Sequence, residues 1–409
     1  MGEGELMDAD ATVRDPAALL FTDETADAPH AAYAELRDRC PVARSPSGSM
    51  PGVYLSGYDD VAWALRNPDV FSSAPEALSI GQAQPLIPLQ LDPPVHTRYR
   101  HMLNPLFKPN RVAQLEPDVR SLVTGLLDAI ADRGRCDFHQ EFSTPLPSTI
   151  FLRLMGLPQS DLPDFLRWRD DIIRPDVDPA DNEAAAQVRE AASRAIDSYF
   201  ETAIDRAGGQ PGEGLLASLV GAEIDGRRLD RRELLGICHL MLLGGLDTVT
   251  ATLDCIVAYL ARSPERRRAL AEDVSLVPAA VEELLRHQTP VMVVPRVVRR
   301  PVTLRGVELR PGDPAVLVLG AANSDDDVFP DGGELDLTRD AGRHLAFGVG
   351  HHFCLGAHLA RLQLRVSLEE LHRRIPDYWI PDDAEVHFTP GIRQTHGLPL
   401  EWRPSEDAP

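Results

Sequence analysis

The stretch that decides the interpretation of this chain is HLAFGVGHHFCLGAHLARLQL, from His344 to Leu364. Cys354 follows a loop that contains Gly348 and Gly350, and from Leu355 onward the apolar residues recur at helical spacing. Cys354 therefore lies at a predicted helix N-terminus, where unpaired backbone N–H groups and the helix dipole stabilise a thiolate. The two glycines allow a positive φ and the close approach of a flat group.

Four interpretations of this cysteine follow from the residues alone. It could be a structural cysteine, since free cysteine is most often part of a core. It could be a zinc ligand with His351, His352 and His358, although the spacing lacks the paired arms of structural zinc sites. It could be a nucleophile, which needs a base and an orienting residue that the sequence does not place. It could also be the axial thiolate of a haem.

Composition sets limits on the class of protein. The chain has 409 residues, 43% of them hydrophobic, and a net charge of −22, which argues against a nucleic-acid partner or an anionic membrane surface. Its five cysteines are scattered, which favours a reducing cytoplasm over a secreted disulfide framework. We find no signal peptide and no apolar run long enough to span a bilayer, so we expect no membrane association. We predict one domain over residues 1–409, with a flexible N-terminus over 1–25.

A basic pair follows a long loop near the start of the chain. Residues 72–94 are rich in Pro, Gln, Ser and Gly and predict a surface loop, and a helix begins near His96 after Pro93 and Pro94. His96 and Arg100 lie four residues apart and so share one face of that helix. They form either a solvated basic face or a site for two carboxylates.

A long helix is predicted from Asp230 to the residue before Pro264. Asp230 and Glu233 have the spacing of a capping box, and some thirty residues would span roughly 45 Å. Gly244 and Gly245 in its middle each cost about 1 kcal/mol relative to Ala. Either a neighbouring helix approaches closely there, or the glycines make room for a small ligand beside the acid and the hydroxyl of the next motif, Asp247 and Thr248.

The C-terminal half predicts a salt bridge and a small sheet. Glu283 and Arg286 lie three apart on a helix, which normally makes a surface ion pair. Strands are predicted over 291–296, within 302–319 and in a returning segment over 392–402.

These motifs, in this order, resemble those of the cytochrome P-450 family. The pattern F-G-x-G-x-H-x-C-L-G followed by x-x-L-A-R is matched by Phe347, Gly348, Gly350, His352, Cys354, Leu355, Gly356, Leu359, Ala360 and Arg361. The segments LDPPVHTRYR, GGLDT and EELLR are similar to the family's D-P-P-x-H-T-x-x-R, [A/G]-G-x-[D/E]-T and E-x-x-R. The segments LLGGLDTV and IFLRLMGLP look particularly similar to soluble bacterial camphor-hydroxylating relatives.

The resemblance implies a mainly α fold with a small β part, in which a long central helix crosses haem b (iron protoporphyrin IX) and the cysteine-ligand loop lies beneath it. It implies that Cys354 is the axial ligand of the haem iron and that Phe347 packs beside the porphyrin. It assigns the haem propionates to His96, Arg100, Arg296 and His352. Asp247 and Thr248 would relay protons to dioxygen.

Two further groups of residues take roles from the same resemblance. Glu283 and Arg286 would be buried and structural; the family usually completes their network with an Arg or His from a later irregular stretch, where Glu334 stands here. The expected substrate pocket consists of Gln84, Leu86, Ile87, Leu243, Gly244, Val291, Val293, Val294, Arg393 and Gln394.

The implied function is a haem-thiolate monooxygenase that hydroxylates or epoxidises a small to medium apolar substrate, terpenoid-like or an intermediate of secondary metabolism. An acidic ferredoxin and its reductase would supply electrons at a basic face made of Arg98, Arg100, Lys108, Arg111, Arg361 and Arg365, or these arginines are merely scattered over the surface. The alternatives are a peroxide-driven or non-oxygenating haem-thiolate enzyme and a non-catalytic haem sensor or carrier.

Overall fold

The computed structural model describes residues 15–46, 50–78, 81–178, 181–208 and 214–404. Its helices are α1 Pro16–Leu20, α2 Asp23–Asp27, α3 His30–Arg39, α4 Tyr58–Arg66, α5 Val95–Leu103, α6 Pro109–Ala113, α7 Glu116–Asp128, α8 Pro145–Met155, α9 Leu162–Ile173, α10 Asn182–Gly208, α11 Leu215–Val220, α12 Arg231–Leu246, α13 Thr248–Ala261, α14 Pro264–Glu272, α15 Val277–Gln288, α16 Leu319–Asn323 and α17 Ala357–Arg374. Its strands are β1 Val42–Ser45, β2 Gly52–Leu55, β3 Phe71–Ser72, β4 Arg135–Asp137, β5 Glu223–Ile224, β6 Arg227–Arg228, β7 Val293–Val298, β8 Val302–Leu304, β9 Val307–Leu309, β10 Pro314–Val318, β11 Tyr378–Trp379 and β12 Pro399–Trp402. The predicted mainly α fold with a small β part is confirmed.

The largest sheet joins strands from the first hundred residues to strands from the segment 293–318. Its strand order is β1-β2-β10-β7-β3, and β2 pairs in parallel with β10 through Leu55 opposite Leu317. The other strands form a three-stranded sheet, β11-β12-β4, and two hairpins, β5-β6 and β8-β9. In this sheet the early strands β2 and β3 are connected only through the late strands β10 and β7. This pairing supports the prediction of one domain, which stays a prediction.

The long predicted helix is present as α12 and α13. Asp230 caps it with the capping box expected from the sequence: its side chain accepts from the Glu233 backbone, and the Glu233 side chain accepts from the Asp230 backbone. The helix runs for 31 residues, Arg231–Ala261, with Asp247 at an interruption between the two segments. Its two halves pack into different hydrophobic clusters, so it crosses the protein interior.

One expectation about the central helix is corrected by this packing. No apolar run long enough to span a bilayer was expected, but Arg231–Ala261 is long and apolar enough by length and composition, and its most apolar window has a mean hydropathy of 1.6. Inside the protein, 67% of that window is buried.

Part of the N-terminus that was predicted to be flexible over 1–25 is helical. Helices α1 and α2 lie there, and the side chains of Asp15 and Thr22 cap them. The flexibility stays a prediction. Residues 1–14 lie outside the described residues.

The loop over 72–94 is only partly a surface loop. Its end enters the interior, where Leu86 and Ile87 are 1% and 7% exposed. The Ile87 backbone N–H donates to the carbonyl of Gly236 at 3.2 Å, and a Cβ on Gly236 would lie 2.5 Å from the Pro85 carbonyl oxygen. The glycine therefore allows the loop to pack directly on the central helix.

Candidate functional site

One cavity of about 360 Å³ brings together half of the site residues predicted from the sequence. Its walls come from α5, α8, α12, α13, β7, α17 and the loop before α17, and they are mostly apolar. Polar groups enter it at few points. The predicted site residues on its walls are His96, Arg100, Gly244, Thr248, Val291, Val294, Arg296, Phe347, His352 and Cys354.

Cys354 lies on the cavity wall three residues before α17. Its backbone N–H donates to the Phe347 carbonyl at 2.9 Å, which closes the loop, and Gly348 and Gly350 have φ values of +67° and +77°. Burial raises the pKa of the Cys354 thiol, while a hydrogen bond from the Gly356 backbone and the charges of Arg100 and Arg361 lower it. A soft metal cation at the sulfur would favour the thiolate outright.

A cluster of basic side chains on the same cavity has no anionic partner within the described part of the chain. Neither ring nitrogen of the buried His96 has a hydrogen-bond partner among the described residues, and the same holds for Nε2 of His352. The two rings lie 4.2 Å apart between centroids. The side chains of Arg100 and Arg296 donate to backbone carbonyls, those of Phe353 at 2.8 Å and Pro295 at 2.7 Å.

This cluster fits a ligand that carries carboxylates. Burial lowers the pKa of His96 to about 4, with Arg100 acting in the same direction, and burial with Arg296 lowers that of His352 to about 2. Burial likewise lowers the pKa of Arg296 to about 10. Two carboxylates placed here would accept hydrogen bonds from the unpartnered nitrogens and offset the buried positive charge. The donor set therefore fits the two propionates of a haem whose iron is held by Cys354.

The two central glycines have different surroundings. A Cβ on Gly245 would lie 2.9 Å from Cδ2 of Phe151, whereas a Cβ on Gly244 would meet nothing within 4 Å. The close-approach explanation therefore holds at Gly245 and the open-space explanation at Gly244. The Thr248 hydroxyl donates to the Gly244 carbonyl at 3.0 Å, in the turn where helical bonding is interrupted.

Asp247 does not lie beside the cavity with Thr248 as the sequence suggested. Its carboxylate is fully buried and accepts from Arg174 at 2.9 Å, with the Nε of Arg169 4.0 Å away. Successive residues of a helix point about 100° apart, so Asp247 turns towards α9 while Thr248 turns towards the cavity. The acid and the hydroxyl are adjacent in sequence, but the structure separates their side chains.

Comparison with known proteins agrees with this geometry. Residues 18–374 match the sequence profile described as Cytochrome P450. The chain belongs to the cytochrome P450 family. It is 36% identical over 393 residues to the cytochrome P450 monooxygenase PikC of Streptomyces venezuelae. That match covers 93% of this chain and 92% of the relative. It is 35% identical over 357 residues to the vitamin D(3) 25-hydroxylase of Pseudonocardia autotrophica, covering 85% of this chain and 87% of the relative.

Solved P450 structures are similar along almost the whole chain. A mutant of P450 EryK in complex with erythromycin B has a TM-score of 0.86 and 30% identity, and the match covers 95% of this chain and 98% of that one. CYP109E1 from Bacillus megaterium in complex with testosterone also has a TM-score of 0.86, with 27% identity over 93% of this chain and 100% of that one. Membership in this family makes the protein an oxidoreductase of the P450 monooxygenase type, which binds haem b through a cysteine thiolate.

The P450 core network behind the haem loop is complete, although Glu334 had put its third member in doubt. Glu283 and Arg286 are fully buried and pair twice at 2.7 Å. Arg339, which was not predicted from the sequence, donates from Nε to Oε1 of Glu283 at 3.2 Å, and the same oxygen accepts from Arg286. Glu334 contributes only its carbonyl, which accepts from Arg286 at 2.9 Å, and its side chain is 79% exposed.

Seven of the predicted pocket residues are not on the cavity wall in the described part of the P450 chain: Gln84, Leu86, Ile87, Leu243, Val293, Arg393 and Gln394. Val293 faces the opposite side of β7 from Val294, because side chains alternate along a strand. Arg393 is buried and donates to the backbone carbonyls of Ala26 and Gln288. Leu86, Ile87 and Leu243 pack in the core, Gln84 donates to Asp197, and the Gln394 side chain is buried.

Many of the residues that line the cavity of this P450 were not predicted, among them Thr252, Phe151 and Gln363. Thr252, taken as an ordinary helix residue, lies on the cavity wall one turn after Thr248 and donates to its carbonyl at 2.6 Å. Phe151 lies on α8 and Gln363 on α17. The helical spacing of Thr248 and Thr252 is the signal in the sequence that could have found Thr252.

Proposed function

We propose that this P450 inserts one oxygen atom of O₂ into an apolar organic substrate, by hydroxylation or epoxidation. The observation that carries the proposal is that three features line one apolar cavity. They are Cys354, the basic cluster of His96, Arg100, Arg296 and His352, and the Gly244–Thr248 turn. When bound there, a haem whose iron is ligated by a thiolate supplies the activation of O₂. The chain supplies the binding groups, the shape of the cavity and the groups that move protons.

The side chains divide these tasks. His96, Arg100, Arg296 and His352 would bind the two propionates, and Phe347, whose ring contacts the guanidinium of Arg361 at 4.5 Å, would pack beside the porphyrin. The Thr248 hydroxyl can hold a proton at Oγ1 and pass it on, because a hydroxyl both donates and accepts. Gly244 leaves open space next to it.

The proposed role of Asp247 changes with its position. Its carboxylate joins the central helix to the end of α9 through Arg174, and its Oδ2 is buried without a partner among the described residues. We therefore assign proton transfer at the cavity to Thr248 and give Asp247 a part in it only if the ion pair opens.

The substrate is proposed to be a terpenoid-like compound or another natural-product intermediate. The cavity wall away from the basic cluster is apolar and includes Phe107, Pro147, Ile150, Phe151 and Leu154. The names of similar proteins point to molecules larger than camphor: vitamin D3, steroids and, in a complex, the macrolide erythromycin B. These names support a polycyclic or macrocyclic substrate with a large apolar surface.

The electron donor is proposed to be a ferredoxin in the cytoplasm. Three members of the expected basic face are paired within the chain: Arg98 with Asp225, Arg361 with Glu282, and Arg365 with Glu116 and Glu369. The face is therefore less positive than its sequence suggested. Because Arg100 is assigned to a propionate, Lys108 and Arg111 are left to attract an acidic partner.

The test is the visible spectrum of the purified protein, reduced with dithionite and exposed to CO. A Soret band at the long wavelength of thiolate-ligated haem is expected, and Cys354→Ala should abolish it. Turnover with NADPH, a ferredoxin, its reductase and O₂ then separates a monooxygenase from a peroxide-driven enzyme, which would work with peroxide alone. A haem sensor would give the spectrum without any product, and a band typical of histidine ligation would refute the proposal.

A further inference from the structure

An ion pair between two helices is joined to the cysteine loop. Glu282 on α15 accepts from Arg361 on α17 through both carboxylate oxygens, at 2.7 and 2.8 Å. A bidentate pair of this kind holds a guanidinium in one orientation. The next residue, Glu283, bonds instead to Arg286 and Arg339, so the two neighbouring carboxylates have separate partners.

His344 ties this ion pair to the start of the cysteine loop. The Ala346 backbone N–H donates to Nδ1 of His344 at 3.1 Å, so the ring is the neutral tautomer that carries its proton on Nε2. That nitrogen donates to Oε2 of Glu282 at 3.1 Å. Burial acts to raise the pKa of Glu282, but the hydrogen bonds from His344 and Arg361 outweigh it and lower the pKa to about 2. Glu282 is therefore a carboxylate at neutral pH.

The guanidinium of Arg361 lies close to the loop that presents Cys354. Its central carbon is 4.5 Å from the centre of the Phe347 ring, and the Phe347 carbonyl accepts from the Cys354 backbone N–H at 2.9 Å. Against the effect of burial, the positive charges of Arg100 and Arg361 favour the thiolate of Cys354. Glu282 therefore holds in place a positive charge that acts on this sulfur.

Charges at this position affect the reduction of an iron bound to Cys354. Reduction adds one electron, so a nearby positive charge stabilises the ferrous form and a nearby negative charge stabilises the ferric form. The side chains of Glu282 and Arg361 are 25% and 31% exposed, so water screens part of their effect. The pair as a whole has no net charge, whereas either charge alone would shift the reduction potential.

We propose that Glu282 is a positioning residue for Arg361 and that this ion pair sets the reduction potential of the haem held by Cys354. The inference rests on the proposed function, in which Cys354 ligates the iron. Glu282 keeps the guanidinium against Phe347 and offsets its charge. Within the described residues, neither side chain of the pair lies on the cavity wall, so neither is a catalytic residue.

The test is a spectroelectrochemical titration of the haem-loaded protein without substrate, at fixed pH and ionic strength. Glu282→Gln leaves the charge of Arg361 uncompensated. At a fixed applied potential it should raise the ferrous-to-ferric ratio about fivefold, or about 40 mV at about 59 mV per factor of ten. Arg361→Gln leaves the carboxylate alone and should lower the ratio by a similar factor. The double variant removes both charges, and its ratio should return to within about twofold of the native value.

Two conservative variants and a matched control complete the design. Glu282→Asp and Arg361→Lys keep both charges and should stay within about twofold of the native ratio. Glu369→Gln removes a carboxylate that is 11% exposed and paired with Arg365 on the same helix. Glu369 lies twelve residues after the start of α17, about 18 Å along the axis, so this variant should leave the ratio unchanged.

Unshifted potentials in both single variants would overturn the inference, as would shifts in the same direction, a double variant that does not return, or an equal shift in Glu369→Gln. Loss of haem from both single variants would make the pair structural and overturn it too. The CO spectrum of the native protein separates this failure from failure of the proposed function. A long-wavelength band with unshifted potentials leaves the monooxygenase proposal standing and removes only the role of the ion pair.

Discussion

The two adjacent glycines of the central helix offer a test in which the same substitution has opposite effects. A methyl group at position 244 would enter open space, and one at position 245 would press against the ring of Phe151 at 2.9 Å. Phe151 is 5% exposed and packs against Phe165 at 5.8 Å between centroids, so its ring cannot move freely. The substitutions Gly244→Ala and Gly245→Ala therefore differ only in what the new methyl group meets.

The expected magnitudes follow from two contributions. Replacing a glycine inside a helix by alanine gains about 0.5–1 kcal/mol, because the unfolded chain loses conformational freedom. Overpacking a buried contact costs about 1–3 kcal/mol. Gly244→Ala should therefore stabilise the protein by about 1 kcal/mol, and Gly245→Ala should destabilise it by about 1 kcal/mol or more.

Urea unfolding followed by far-UV circular dichroism measures both changes on the haem-loaded protein. The control is a double-mutant cycle with Phe151→Leu, in which the cost of Gly245→Ala should disappear while the effect of Gly244→Ala stays the same. If the two alanine variants shift stability equally, or if the cost at position 245 persists without the ring, the steric explanation is refuted.

Three further tests of the structure use the same unfolding assay. Asp230→Ala removes the helix cap and should cost about 1 kcal/mol; no change would contradict the capping box. Glu283→Gln leaves the buried Arg286 and the partly buried Arg339 without their carboxylate and should cost about 3–5 kcal/mol. Arg339→Met leaves the ion pair of Glu283 with Arg286 intact and should cost less; equal losses would contradict the proposed network. Burial and nearby arginines lower the pKa of His30 to about 3, and burial, His30 and Arg286 lower that of His287 to about 2. Below about pH 6.5 only the unfolded chain takes up these protons, so the free energy of unfolding should fall as the pH drops. The slope should reach at most about 1.4 kcal/mol per pH unit for each histidine. His287→Phe should reduce that slope. An unchanged slope between pH 6.5 and 4 would contradict the assignment of this pH dependence to His287.

The sequence by itself determined the chemistry that depends on short spacing. Cys354 with its loop glycines, the pair His96 and Arg100, and the capping box at Asp230 each lie within a few residues, where helix and turn geometry settles which groups meet. Their order along the chain was enough to identify the family and the cofactor. The pairing of Glu283 with Arg286 has the same local origin, because one helical turn separates them.

Only the tertiary structure decided which side chains meet across elements. Asp247 and Thr248 are neighbours in sequence, yet one turns to Arg174 and the other to the cavity, because the direction of a helical side chain depends on what packs against each face. Gly244 and Gly245 look alike in sequence and differ only through Phe151 on another helix. Arg339 completes a network with Glu283 from 56 residues away, a distance over which no periodicity gives a signal. Contacts of this kind are fixed by the packing of the whole chain, which is why the sequence predicted the haem site and not the boundaries of its pocket.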